Sequence, residues 1–108
     1  MKDLTVITQQ YADRTVITTA GEIDLTTCPA LRRATLAIPL GGKTLQMDLS
    51  GVTFMDSSGL NFMLQLRERL IAEGGQIVVT GLQPRVEYVL RLTETYELLT
   101  TAAVSKAA

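Results

Sequence analysis

Residues 54–60 read FMDSSGL. An apolar pair runs into Asp56, then Ser57, Ser58 and Gly59, and a long apolar-rich stretch follows. To the left, KTLQMDLS (43–50) alternates: Leu45, Met47 and Leu49 face one way, Gln46 and Asp48 the other, as in a half-buried strand. To the right, Ser57 to Glu73 reads as a helix of about four turns, closed by Gly74 and Gly75 as C-cap residues. The motif therefore sits where a strand hands over to a helix. Asp and Ser are good helix caps, and a serine there is also open to modification.

Working outward, QIVVT (76–80) reads as a short buried strand, and the helix before it makes this strand parallel to 43–50 with a right-handed crossover. QPRVEYVLRLT (83–93) is a helix led by Pro84, with Val86, Val89 and Leu90 on one side. Upstream, LTVITQQY (4–11) and TVITTAG (15–21) are strands joined by a short turn, hence antiparallel. Between them and Lys43, a helix is capped by Thr26 or Thr27 with Pro29 in its first turn. Leu31, Ala34, Leu36 and Ile38 supply its apolar positions, and Pro39, Gly41 and Gly42 end it. The tail, ETYELLTTAAVSKAA, is expected to add one short strand or turn. This order predicts an α/β domain. Its mixed sheet has four to five strands, with helices packed mainly on one face. The chain is expected to be one domain over residues 1–108, with a core of about 4–99 and a short tail at 100–108.

Composition narrows the function. Of 108 residues, 46% are hydrophobic and 19% charged, ordinary for a globular chain. No stretch approaches the ~20 apolar residues of a membrane span, and MKDLTVITQQ has no signal-peptide region. One Cys permits no internal disulfide, which agrees with an expected cytoplasmic location. A net charge of -1 and only 5% aromatics argue against nucleic acid. There is no His, which excludes a Ser-His-Asp triad and removes the commonest metal ligand, so no enzyme activity, metal or cofactor is expected.

Taken residue by residue, Asp56 caps the helix and fixes where Ser57 points. Ser57 is the cap or the first helical residue, and Ser58, turned about 100° away, is the rival acceptor of a modification. Gly59 permits close approach of a strand or a partner. Thr53 reads as a strand-end residue. Cys28, near a helix start, either has a lowered thiol pKa or packs as a small apolar residue. In the helix, Met63, Leu66 and Leu70 line the sheet, Phe62 sits nearer the edge, and Arg67, Glu68 and Arg69 are solvated.

VTFMDSSGL (52–60) resembles the central signature of STAS domains, and of bacterial anti-sigma factor antagonists in particular. The resemblance extends over residues 4–99. GEID (21–24) resembles the family's Gly-Glu-Leu/Ile-Asp, LQMDLSGV its third strand, and EGGQIVVTGLQPRVEYVLRLT its Gly-Gly, strand and Pro-led helix. It implies a protein-binding module. The unphosphorylated form captures an ATP-binding anti-sigma factor that is also a serine kinase, which frees the sigma factor. Phosphorylation of Ser57 switches capture off, and a metal-dependent serine phosphatase restores it. The resemblance sets Asp24 beside that serine and makes Asp24, Asp56, Ser57, Ser58, Gly59, Asn61 and Phe62 the partner-binding set. Neither nucleic-acid binding nor direct membrane insertion is implied. Three departures stand out: Asn61 and Gln65 replace small residues of the docking helix, Glu94 replaces a helix-ending glycine, and the tail is short. Two other functions compete. One is a stand-alone STAS subunit of a membrane lipid-transport ATPase, with no phosphate cycle. The other is a hydrolase using Ser57, which lacks a base, since Lys43 and Lys106 are distant in sequence.

Overall fold

The computed structural model describes residues 4–38 and 42–101. Eight elements follow in the order β1 (Leu4–Gln10), β2 (Arg14–Ile23), α1 (Cys28–Leu36), β3 (Thr44–Met55), α2 (Ser57–Ala72), β4 (Gln76–Thr80), α3 (Pro84–Leu92) and α4 (Tyr96–Thr100). They form a mixed α/β fold with one sheet ordered β1-β2-β3-β4. β1 and β2 are antiparallel, whereas β2–β3 and β3–β4 are parallel. The expected elements up to α3 are present within a few residues. Pro39, Gly41 and the tail residues 102–108 lie outside the described residues.

Alternation decides which face is covered. Thr15, Ile17 and Thr19 of β2 and Leu45, Met47 and Leu49 of β3 are fully buried, and the residues between them are only partly so. The period-2 pattern sends the first set under the helices. Leu31 of α1, Met63, Leu66 and Leu70 of α2, and Val86 and Leu90 of α3 meet it there.

Three expectations need correction. β3 runs to Met55 rather than ending near Ser50, because two register shifts against β2, at Thr18/Ala20 and Gly21/Glu22, keep the strands paired through Ser50-Gly51. The stretch after α3 is no strand: it forms the one-turn helix α4, anchored by buried Leu99. Leu36, counted among the apolar positions of α1, is 66% exposed, and Thr35 takes the inward place beside Leu31.

Both long connections end in the same kind of cap. At the end of α2 the Gly75 N–H donates to Leu70 O at 2.7 Å and the Gly74 N–H to Ile71 O at 3.0 Å, with Gly74 at φ 84. At the end of α3 the Thr95 N–H donates to Leu90 O at 2.9 Å and the Glu94 N–H to Arg91 O at 3.1 Å, with Glu94 at φ 61. Each is a Schellman motif, which needs a left-handed residue. The second fills it with a glutamate, at the position where the family resemblance expects glycine.

Candidate functional site at the carboxyl ends of two parallel strands

Ile23 and Met55 are register partners, the last residues of β2 and β3. An aspartate follows each of them, and each organises the next segment. Asp24 is buried. Its Oδ1 accepts from the Thr26 N–H at 3.0 Å, the Thr26 hydroxyl at 2.8 Å and the Thr27 N–H at 3.1 Å. In return the Asp24 N–H donates to Thr27 Oγ1 at 2.9 Å, and the Thr27 hydroxyl donates to Glu22 O at 2.7 Å. An Asx-type turn thus leads into α1, whose N-cap is Thr27 and whose first turn holds Pro29. Asp24 acts by fixing this loop.

Asp56 does the same for α2, as the sequence predicts. It stands as the N-cap with extended backbone (φ -101, ψ -171), and its Oδ1 accepts from the Ser58 N–H at 2.9 Å and the Gly59 N–H at 3.2 Å. Two of the orphan amides at the helix start are thereby satisfied. The Asp56 N–H donates to Ile23 O at 3.2 Å, tying the start of α2 to the end of β2.

Ser57 is the first helical residue and is exposed. It heads a stripe of exposed positions, Ser57, Asn61, Gln65 and Glu68, at the spacing of one helix face. Ser58 is half-buried. Gly59 is buried, and a Cβ on it would lie 2.7 Å from both Ile23 Cγ2 and Met55 Cγ. The missing side chain therefore serves the strand–helix contact. Phe62 is 4% exposed, and the Arg32 guanidinium covers its ring at 5.2 Å from the centroid. Of the seven residues singled out, the structure gathers Asp24, Asp56, Ser57, Ser58 and Gly59 around the two strand ends. Asn61 is carried one turn along α2, and Phe62 lies beneath Arg32.

Cys28, also buried, packs at the start of α1. Burial pushes its thiol pKa up, the carboxylates of Asp56 and Asp24 add to this, and Arg32 opposes them. The lowered pKa considered from the helix start is thus overturned: desolvation and the two carboxylates outweigh Arg32. Thr53 lies within β3 with its hydroxyl donating to Gly21 O at 3.4 Å. Arg67 and Arg69 are not freely solvated. Arg67 Nε donates to Leu98 O at 3.2 Å, and Arg69 pairs with Glu73 at 3.4 Å.

Sequence reasoning missed Leu25 and Arg32. Leu25, directly after Asp24, is 73% exposed. A leucine between two loop residues carries no periodic signal, so only the fold reveals its exposure. For Arg32 a signal existed: α1 carries two arginines and no acid.

Residues 7–100 match the family model described as "Mlab, STAS domain". The chain belongs to the STAS domain family. Among curated proteins this STAS domain is similar to the anti-sigma-B factor antagonist of Bacillus subtilis (strain 168), 25% identical over 104 residues, 96% of this chain and 95% of the relative. It is likewise similar to the anti-sigma-B factor antagonist of Listeria monocytogenes, 31% identical over 88 residues, 81% of this chain and 77% of the relative. The crystal structure of an anti-sigma factor antagonist from Mycobacterium paratuberculosis superposes with a TM-score of 0.79 at 30% identity, over 90% of this chain and 83% of that one. Unphosphorylated SpoIIAA, an anti-sigma factor antagonist, shares the fold at a TM-score of 0.75 and 23% identity, over 89% and 86% of the two chains. Among the described residues no helix is long and apolar enough to cross a membrane. No three potential metal ligands cluster there.

Proposed function

We propose that this STAS domain is a phosphorylation-switched anti-sigma factor antagonist. In its unmodified form it binds an ATP-dependent anti-sigma factor that is also a serine kinase, and so releases the sigma factor. The kinase transfers the γ-phosphoryl group of ATP to Ser57 Oγ, the hydroxyl proton leaves and ADP is released. A metal-dependent phosphatase then adds water and returns the hydroxyl and inorganic phosphate. The observation that carries this reading is the exposed Ser57 hydroxyl, held at the first position of α2 by a neighbour whose carboxylate already caps the helix.

The same geometry supports an outward effect. A phosphoserine carries about -1.5 to -2 charges. A helix N-terminus ordinarily welcomes an anion, but here Asp56 has taken the Ser58 and Gly59 amides. The phosphate is left at the surface beside the Asp56 carboxylate. The fold survives, and a partner docked over this end meets a new cluster of negative charge. A loss of about 2.8 kcal/mol is a ~100-fold weaker complex, enough to exchange partners. Family membership and the anti-sigma factor antagonists among its relatives support the same partner class.

Incubation of the purified chain with the cognate kinase and ATP, followed by phosphosite mapping, tests the modification step. Phosphate on Ser57, abolished in Ser57→Ala and retained in Ser58→Ala, is the expected result. Phosphate on Ser58, or none, contradicts it.

A further inference from the structure

Between α1 and α2 runs a groove of about 140 Å³ lined by Arg32, Thr35, Leu36, Phe62, Leu66 and Arg69, with Gln65 at its rim. Its volume is near that of an apolar cavity of about 150 Å³ that accepts benzene, which is room for about one aliphatic or aromatic side chain. The floor is apolar, from Phe62 and Leu66, and Leu36 stands 66% exposed on the wall. The charge is one-sided. Arg32 stacks over Phe62 and makes no ion pair among the described residues, Arg33 follows it on the exposed side of α1, and α1 has no acidic residue. Arg69 spans the far end, donating from Nη1 to Thr35 O at 3.5 Å while Glu73 pairs with its Nε. The exposed stripe that begins at Ser57 passes the groove at Gln65.

We propose that this groove receives an acidic amphipathic segment of the anti-sigma factor, with one apolar side chain seated on Phe62 and carboxylates paired with Arg32. This rests on the partner class argued above. Complementary charge selects the occupant: a guanidinium held over an aromatic ring, with no carboxylate paired to it among the described residues, offers a bidentate site to one brought by the partner. An apolar anchor flanked by such pairs is the helix-in-groove mode of recognition. Ser57 is not among the residues that line the groove, so Ser57 gates the contact and the groove supplies affinity and partner choice.

The experiment measures binding of the purified anti-sigma factor captured by the unmodified chain to wild type, Arg32→Glu, Leu36→Asp and Ser57→Asp, at low and high salt. Both replaced groove side chains reach the surface, and circular dichroism of each variant checks its fold. Arg32→Glu and Leu36→Asp are each expected to weaken binding at least tenfold, with the Arg32→Glu loss shrinking at high salt as screening takes over. Wild-type affinity in both groove variants, with Ser57→Asp still weakened, overturns the groove and leaves the switch standing. Wild-type affinity in Ser57→Asp overturns the switch, and the groove is then judged on its own two variants. A wild-type homodimer that Leu36→Asp dissociates gives the groove to a second copy and overturns the proposal.

Discussion

The Asp56 amide donates to the carbonyl oxygen of Ile23 at 3.2 Å, so the residue that caps α2 is anchored to the last residue of β2. One residue thereby joins two loops, because its Oδ1 caps the helix while its backbone reaches the neighbouring strand. The direction in which Ser57 points is set by this double attachment.

Removing the cap should therefore loosen the site. Asp56→Ala is expected to cost about 1 kcal/mol of stability, the usual loss for a capping side chain. Asp56→Asn, which keeps an acceptor oxygen, should stay near wild type. Urea denaturation of the three proteins measures both. Equal losses in Ala and Asn would show that the charge, rather than the accepting oxygen, holds the helix start.

Gly59→Ala forces a methyl group to within 2.7 Å of Ile23 Cγ2 and Met55 Cγ. Overpacking of this kind typically costs about 1–3 kcal/mol. Thermal unfolding should show a clearly lowered midpoint. An unchanged midpoint would mean that α2 shifts freely away from the sheet, contrary to the anchoring described above.

Glu94 is the opposite case. Its φ of 61 places a non-glycine residue in the left-handed region, the position that Gly74 fills at the end of α2. Glu94→Gly should stabilise the fold by about 1 kcal/mol, since the left-handed conformation costs other residues about 1–2 kcal/mol and glycine's greater freedom in the unfolded chain returns part of it. Chemical denaturation decides the sign, and a destabilised variant would show that the glutamate side chain contributes more than its backbone costs.

Cys28 predicts a pH dependence. Its thiol pKa is raised in the folded chain, by burial first and then by Asp56 and Asp24 against Arg32. A raised folded-state pKa means that the contribution is fully present below the unfolded value of about 8.5 and is lost as pH rises through the folded value. Between pH 7.5 and pH 10, wild type should lose stability more steeply than Cys28→Ala. Parallel curves would contradict the raised pKa. Cys28 should also react slowly with alkylating reagents until the protein is unfolded.

The alternation in LQMDLS, the cap-and-helix pattern after it and the Gly-Gly stop were legible because each is a local signal: period, cap, breaker. The far end of β3 was not. Ser50-Gly51 resembles a turn, and only pairing with β2 through two register shifts carries the strand on to Met55. In the tail, the short α4 follows from tertiary burial of Leu99, which no five-residue window reveals. At the site, Asp56 and Ser57 were readable from cap chemistry; Asp24's hold on Thr26 and Thr27 is an equally local Asx turn that was passed over, whereas the groove under Arg32 depends on which elements meet. For Cys28 the packing alternative held and the lowered pKa did not, because a position at a helix start takes no account of burial and the two carboxylates.

The measurement that tests the account most directly is the affinity of the anti-sigma factor for the chain before and after phosphorylation at Ser57, with Ser57→Ala as the unmodifiable control. The account predicts tight binding by the unmodified chain and by Ser57→Ala, and a loss of about 100-fold on phosphorylation, equivalent to about 2.8 kcal/mol. Equal affinity of the modified and unmodified chains would contradict it and reduce Ser57 to the first residue of a well-capped helix.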